Sequence, residues 1–207
     1  QNYMFSMIES MLNARLEELR QSANPPFINA GSGNNDFLLA KTVEAFAGIA
    51  ISKDDGIPTA FAAIVREIER ARKFGFTASE YARAKADYLR GLESAYNERD
   101  KMKNNQYVQE YVRHFIDNEP IPGIETEYAL MNQLAPNIPV EAINMILPQL
   151  IKDENIVINI FGPDKEGMVY PTEAEILDIL NKTKAEEITA YVDKVSDEPL
   201  MKEAPKA

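Results

Sequence analysis

His114 is the only imidazole in the sequence, and cysteine is absent. A catalytic zinc needs about three protein ligands and an open position. Glu110, one helical turn before His114, and Asp117, just beyond it, are the groups placed to complete such a set. Two carboxylates and one imidazole on a charged helix face arise readily without any metal, and the helix dipole favours a histidinium near a C-terminus. The reading is a solvated face, with no metal ligand and no catalytic residue in the chain. Without cysteine there is no thiol nucleophile, disulfide or thiolate metal site, and either a reducing or an oxidising compartment is compatible. Gly31-Ser32-Gly33-Asn34 lacks the Gly-Lys-Ser/Thr of a phosphate loop and opens no helix, so it reads as a turn. No Gly-x-Ser-x-Gly elbow presents a serine. Carboxylates adjacent in sequence, Glu17-Glu18 and Glu186-Glu187, diverge around a helix and read as surface charge.

The elements that position these residues follow from periodicity. Phe5, Ile8, Leu12, Leu16 and Leu19 recur at helical spacing and predict a helix over 2–21, stopped by Asn24-Pro25-Pro26. Phe27 to Ala30 reads as a strand running into a turn over Gly31 to Asp36, and Val43 to Ser52 as a second strand, antiparallel to the first. Pro58 to Phe74 predicts a helix closed by Gly75. Thr77 and Glu80 form a capping box that opens a long helix, with a kink or break over 97–105 and a continuation carrying Tyr107, Val108, Tyr111, Val112 and Phe115. Two shorter helices follow, over 125–134 and 140–150, the second bent by Pro148. Asn155 to Phe161 is the clearest strand by its β-branched content. Boxes at Thr172…Glu175 and Thr183…Glu186 start further helices. Long helices, few strands and no regular βαβ alternation give an α+β fold class with a small, mostly antiparallel sheet.

The 207 residues carry 33 acidic and 22 basic side chains, a formal net charge of -11. The basic groups are interleaved with acids, as in Arg66, Glu67, Glu69 and Arg70, so no patch suits nucleic acid or an anionic membrane. The longest apolar run, Ala45 to Ile51, is too short to cross a bilayer. The opening at Gln1 falls inside an amphipathic pattern, so a fragment of a longer polypeptide is expected.

Arg15-Leu16-Glu17-Glu18-Leu19-Arg20 closes the first helix, and the strand at Phe27, the strand to Ser52, the helix to Phe74 and Gly75-Phe76-Thr77…Glu80 follow in order. This succession resembles the second, non-zinc-binding subdomain of one half of an insulinase (pitrilysin) family zinc metallopeptidase. There a helix ending in an Arg-Leu…Leu-Arg pattern leads to a strand, a glycine-containing turn, a second strand, a helix and a G-x-T-x-x-E turn. Asn155 to Gly162-Pro163 resembles the family's closing strand. The resemblance runs over most of residues 1–165. The family's His-x-x-Glu-His is absent here and belongs to a different subdomain. Active members place a tyrosine seven residues after the helix-ending arginine, and that pair contacts the substrate backbone. Here the arginine is Arg20 and the aromatic is Phe27, which has no hydroxyl, so Arg20 and Phe27 read as a substrate-contact remnant.

The resemblance implies a non-catalytic domain forming scaffold and chamber wall for peptides cut at a zinc outside this chain. The alternative is a stand-alone interaction module with no protease parent. Expected boundaries are 1–165 for the peptidase-like subdomain, 166–195 for a helical extension and 196–207 for a linker or frayed tail. Expected partners are other domains of the same parent chain and a peptide or unfolded polypeptide, with no nucleic acid and no membrane. No cofactor is expected in the chain itself, with zinc in the parent. The periplasm or cell envelope is favoured over the cytoplasm.

Overall fold

Residues 2–37, 40–164 and 166–193 are described by the computed structural model of the chain. α1 (Asn2–Arg20) buries Tyr3, Met7, Ile8, Met11, Leu12 and Leu16 along one face, as their spacing dictates. A two-stranded antiparallel sheet follows, β1 (Asn29–Phe37) against β2 (Ala40–Ile51). α2 (Ile57–Phe74) starts with a proline in its first turn, and α3 (Ala78–Asn97) opens on the Thr77/Glu80 capping box. A 3-10 turn at Arg99–Lys101 separates α3 from α4 (Asn104–Asp117), in the polar stretch where a break was expected. α5 (Ile124–Leu134), α6 (Val140–Asn144), α7 (Leu147–Leu150) and α8 (Glu173–Ala185) complete the chain.

The core has two parts. The larger joins Met7, Met11 and Leu12 of α1 to Tyr81 and Leu92 of α3, Met131 of α5, Ile143 of α6 and Leu147 of α7. The smaller gathers Leu16, Phe27, Ala60, Ala63 and Ile64 where α1, the entry to β1 and α2 meet. The sheet lies against α1 on its β1 side and α2 on its β2 side, and α8 packs on α2. Gly48 is where β2 meets α2 most closely: a Cβ there would lie 2.8 Å from Ile68. Tyr81 donates its hydroxyl to Ile138 O at 2.9 Å and accepts from the Tyr3 hydroxyl at 3.0 Å, which stitches α1 to α3 inside the larger core. Burial, reinforced by that hydrogen bond, holds the Tyr3 phenol well above its ordinary pKa.

Three local expectations are corrected. Gly31 to Asp36 is strand rather than turn: Gly31 pairs with Ile49, Gly33 with Ala47 and Asp36 with Glu44. Pairing along β2 and the grip of Asn13 override the local turn preference of Gly and Asn. Asn13 accepts from Ser32 N at 2.7 Å and donates to Ser32 O at 3.0 Å, standing in for a neighbouring strand. Thr183 caps no helix. It is buried within the last turn of α8, and Glu186 is taken instead by Arg66, at 2.6 and 2.9 Å. Asn155 to Phe161 belongs to no ladder among the described residues, because neither β1 nor β2 offers it a hydrogen-bonding edge. The expected helix over 140–150 is divided into α6 and α7, consistent with Pro148, which has no N–H to carry the ladder through. The tail expected over 196–207 lies outside the described residues.

Candidate functional site

The densest polar constellation is built on Arg15. It occupies the buried stripe of α1 one turn after Met11 and Leu12, and is 2% exposed. Its Nε donates to Glu80 Oε1 at 2.6 Å, and its Nη2 donates to Glu80 Oε2 at 3.0 Å and to Gly75 O at 2.9 Å. Glu80 Oε2 also accepts from Thr77 N at 2.8 Å and Thr77 Oγ1 at 2.9 Å. The guanidinium lies between two rings, 4.7 Å from the Phe76 centroid and 4.4 Å from that of Tyr191. Tyr191 in turn donates to Glu18 at 2.6 Å, and burial holds its phenol above the ordinary value. Asn144 of α6 closes the other side, accepting from Phe76 N at 2.8 Å and donating to Phe76 O at 3.0 Å. Gly75 sits beneath it at φ 71°, where a Cβ would come within 2.5 Å of the Asn144 side chain.

The chemistry of this cluster is structural. An arginine keeps its proton at any working pH, and the Glu80 carboxylate is already saturated by four donors. What the cluster does is fix the α2–α3 corner onto α1. The Gly75-Phe76-Thr77…Glu80 turn and Arg15 are therefore one unit, although they are far apart in sequence. The signal for it was a charged residue at an apolar position of α1, a placement that demands a buried partner.

The two residues of the expected substrate-contact remnant are placed differently from each other. Phe27 is 0% exposed, packed with Leu16, Ala60, Ala63 and Ile64. Arg20 lies on the surface, where its Nε donates to Glu17 Oε2 at 2.6 Å and its Nη2 to Glu17 Oε1. That fork holds the Glu17 carboxyl down at about 2.

His114 is exposed, with its Nδ1 2.6 Å from Glu119 O, and Arg113 pairs with the Glu119 carboxylate at 3.2 Å. The Asp117 side chain lies outside the described residues. Among the described residues no three His, Cys, Asp or Glu side chains are gathered to hold a metal ion. An open cleft of about 610 Å³ lies between the β2–α2 loop and the start of α8, and carries Asp54, Asp55, Glu166 and Asp178 with Pro58 and Tyr170. Its acidity disfavours anionic ligands. α4 turns Val108, Tyr111, Val112 and Phe115 outward, the last 90% exposed.

The helices on a small antiparallel sheet, with the Arg15–Glu80 corner between them, are an insulinase-like α+β arrangement. The chain is 28% identical over 188 residues to a "Zinc protease PQQL-like" of Arabidopsis thaliana, a match that covers 91% of this chain and 16% of that protein. It matches the crystal structure of the periplasmic protease PqqL from Escherichia coli with a TM-score of 0.76 at 20% identity, over 99% of this chain and 22% of that one. For the crystal structure of the first half of that protease the TM-score is 0.70 at 18% identity, over 93% of this chain and 41% of that one. No family model matches the chain. The resemblance to insulinase-family zinc proteases read from the residues is borne out, and the chain is a protease-derived domain that spans a minor part of its relatives' length.

Proposed function

We propose that the chain is a non-catalytic subdomain of a zinc-dependent metallopeptidase, serving as scaffold and chamber wall for peptides cut at a zinc site elsewhere in the parent polypeptide. The observation that carries this reading is the similarity to a zinc protease along 91% of the chain. The chain's own single histidine and lack of cysteine support the assignment of the metal to another part of the parent. The partners are the other domains of the same polypeptide, and the substrate is a peptide or unfolded polypeptide. The open aromatic face of α4 supports both roles. The location is the periplasm or cell envelope. That placement is supported by the likeness to a periplasmic E. coli protease and by the absence, among the described residues, of a helix able to cross a membrane. The boundaries are 1–165 for the subdomain, 166–195 for a helical extension and 196–207 for a linker. Arg20 and Phe27 act as wall rather than as substrate ligands, a role supported by the burial of Phe27 and the Arg20–Glu17 pair.

Metal analysis and a peptide-cleavage assay, run on the 207-residue chain beside the full-length parent, test the reading. The parent is expected to hold zinc and cleave, and the chain alone to do neither. One tightly held zinc per 207-residue chain, or cleavage by that chain, overturns it.

A further inference from the structure

Asn155 to Phe161 has the composition of a strand and lies outside helix, yet none of its backbone groups is paired with another backbone group among the described residues. Its side chains alternate: Ile156, Ile158 and Ile160 are the more covered set, while Val157 and Phe161 are 60% and 82% exposed. The segment's direction is fixed at both ends. Just before it, Asp153 pairs with Arg72 in the last turn of α2, at 3.1 Å, and with Lys184 of α8, at 2.7 Å. Just after it, Pro163 O accepts from the Tyr170 hydroxyl at 2.6 Å, and Tyr170 lines the cleft shared with Asp55 and Pro58 at the start of α2. The segment therefore runs antiparallel to α2. β2 also runs antiparallel to α2, since its end at Ile51 leads through a short loop into Ile57. β2 and 155–161 consequently point the same way on the same side of α2.

Two strands of the same sense join an antiparallel sheet only through an odd number of strands between them. Resting on the reading that this chain is one subdomain of a longer polypeptide, we propose that 155–161 and the free edge of β2 flank a slot for one extended strand supplied by the parent polypeptide from outside these 207 residues, antiparallel to both. That strand completes a sheet of order β1, β2, supplied strand, 155–161. The occupant is argued from length and from exposure. The fold recurs over 99% of this chain inside a protease chain of which it makes up only 22%. Seven residues with unpaired N–H and C=O groups beside open apolar side chains are an aggregation hazard unless a strand covers them. A supplied strand with alternating apolar residues would meet the α2-facing side of the sheet with one face, continuing the row formed by Phe46, Gly48 and Ala50.

Hydrogen exchange read by mass spectrometry on the full-length parent tests the slot. Amides of 156–161 are expected to exchange at least about 100-fold more slowly than those of the 118–123 loop, at every protein concentration and without added peptide. Ile158→Pro, which removes a ladder donor, is expected to deprotect 155–161 together with one segment outside residues 1–207. Rapid exchange of 156–161 in the intact parent overturns the proposal. So does protection that grows with protein concentration, which assigns the slot to a second copy, or protection that needs added peptide, which assigns it to a substrate. Zinc content and cleavage measured on the same sample separate the two ideas: a protected strand in a parent without zinc keeps the slot and removes the peptidase reading.

Discussion

Arg15 and Glu80, 65 residues apart in sequence, form a two-point ion pair with side-chain exposures of 2% and 5%. A buried pair gains little over apolar residues of the same shape, but removing one partner strands the other charge. The pair therefore specifies how the α2–α3 corner meets α1 more than it adds net stability.

Arg15→Ala is expected to lower unfolding stability by about 3–5 kcal/mol, since it leaves a buried carboxylate and empties the space between the Phe76 and Tyr191 rings. Arg20→Ala, in the same motif but on the surface with Glu17, should leave the urea midpoint where it was. Equal losses for the two arginines would contradict the assignment of distinct roles.

Phe27→Ala should cost about 3–5 kcal/mol, as expected for a large ring lost from a closed cluster. Phe27→Tyr brings a hydroxyl into a site with no exposure and is expected to cost about 1–3 kcal/mol if that group finds no partner. In the intact parent the tyrosine variant should show no gain in kcat/KM for peptide cleavage. A clear gain, together with a large drop for Arg20→Ala in a folded variant, would make the pair a substrate contact after all.

Much of this arrangement was legible in the sequence because its determinants are local. The Thr77/Glu80 box, the apolar stripe of α1 and the Pro58 start of α2 each declare themselves within a few residues. The misread parts depend on distant partners. Gly31 to Asp36 is extended because Asn13 and β2 hold it, which no window around Gly31 contains. Asn155 to Phe161 reads as strand on composition, but a strand needs an edge, and this chain offers none where it lies. Of the site, the Arg15 motif was visible as a pattern, while its partner Glu80 was read only as half of a cap.

The pH dependence of stability follows from the shifted groups. Hydrogen bonds from Arg20 hold Glu17 at about 2 against an ordinary 4.5, and Lys184 and Arg66 lower Asp153 and Glu186. Carboxyls depressed in the folded state contribute fully above their unfolded values, and the contribution fades as pH falls through the folded ones. Tyr3 and Tyr191, raised above 10.0, contribute below that pH and lose their contribution as it rises further. The urea midpoint should therefore be flat from about pH 5 to 9 and fall on both sides. Glu17→Gln should flatten part of the acid limb and leave the alkaline one unchanged.

Asn144→Ala leaves Phe76 N and O without their side-chain partner at the corner, a loss of about 1–3 kcal/mol where both groups are shielded from water. Gly75→Ala introduces a Cβ at φ 71° and within 2.5 Å of Asn144. Combining the two substitutions should cost less than the sum of the separate losses, because removing the Asn144 side chain clears the space for the new Cβ. Strict additivity in a double-mutant cycle would show that the two do not share that contact.

Thr77 and Thr172 make the same capping box in different surroundings. Each hydroxyl accepts from the backbone N–H of the glutamate three residues on, at 3.2 Å for Glu80 and 3.3 Å for Glu175, and each glutamate reaches back to the threonine N–H. Glu175 is exposed and does nothing further, whereas Glu80 also carries the buried Arg15. Replacing a capping threonine by alanine costs about 0.5–2 kcal/mol. Thr172→Ala should fall at the lower end and speed amide exchange in the first turn of α8 alone. Thr77→Ala removes a hydroxyl donor from a carboxylate that cannot turn to water, so it should fall at the upper end and speed exchange in α1 around Arg15 as well as in α3. Thr77→Ser, which keeps the hydroxyl, should restore most of the loss. Equal losses at both sites, with exchange in α1 unmoved, would show that the box and the Arg15 pair act independently.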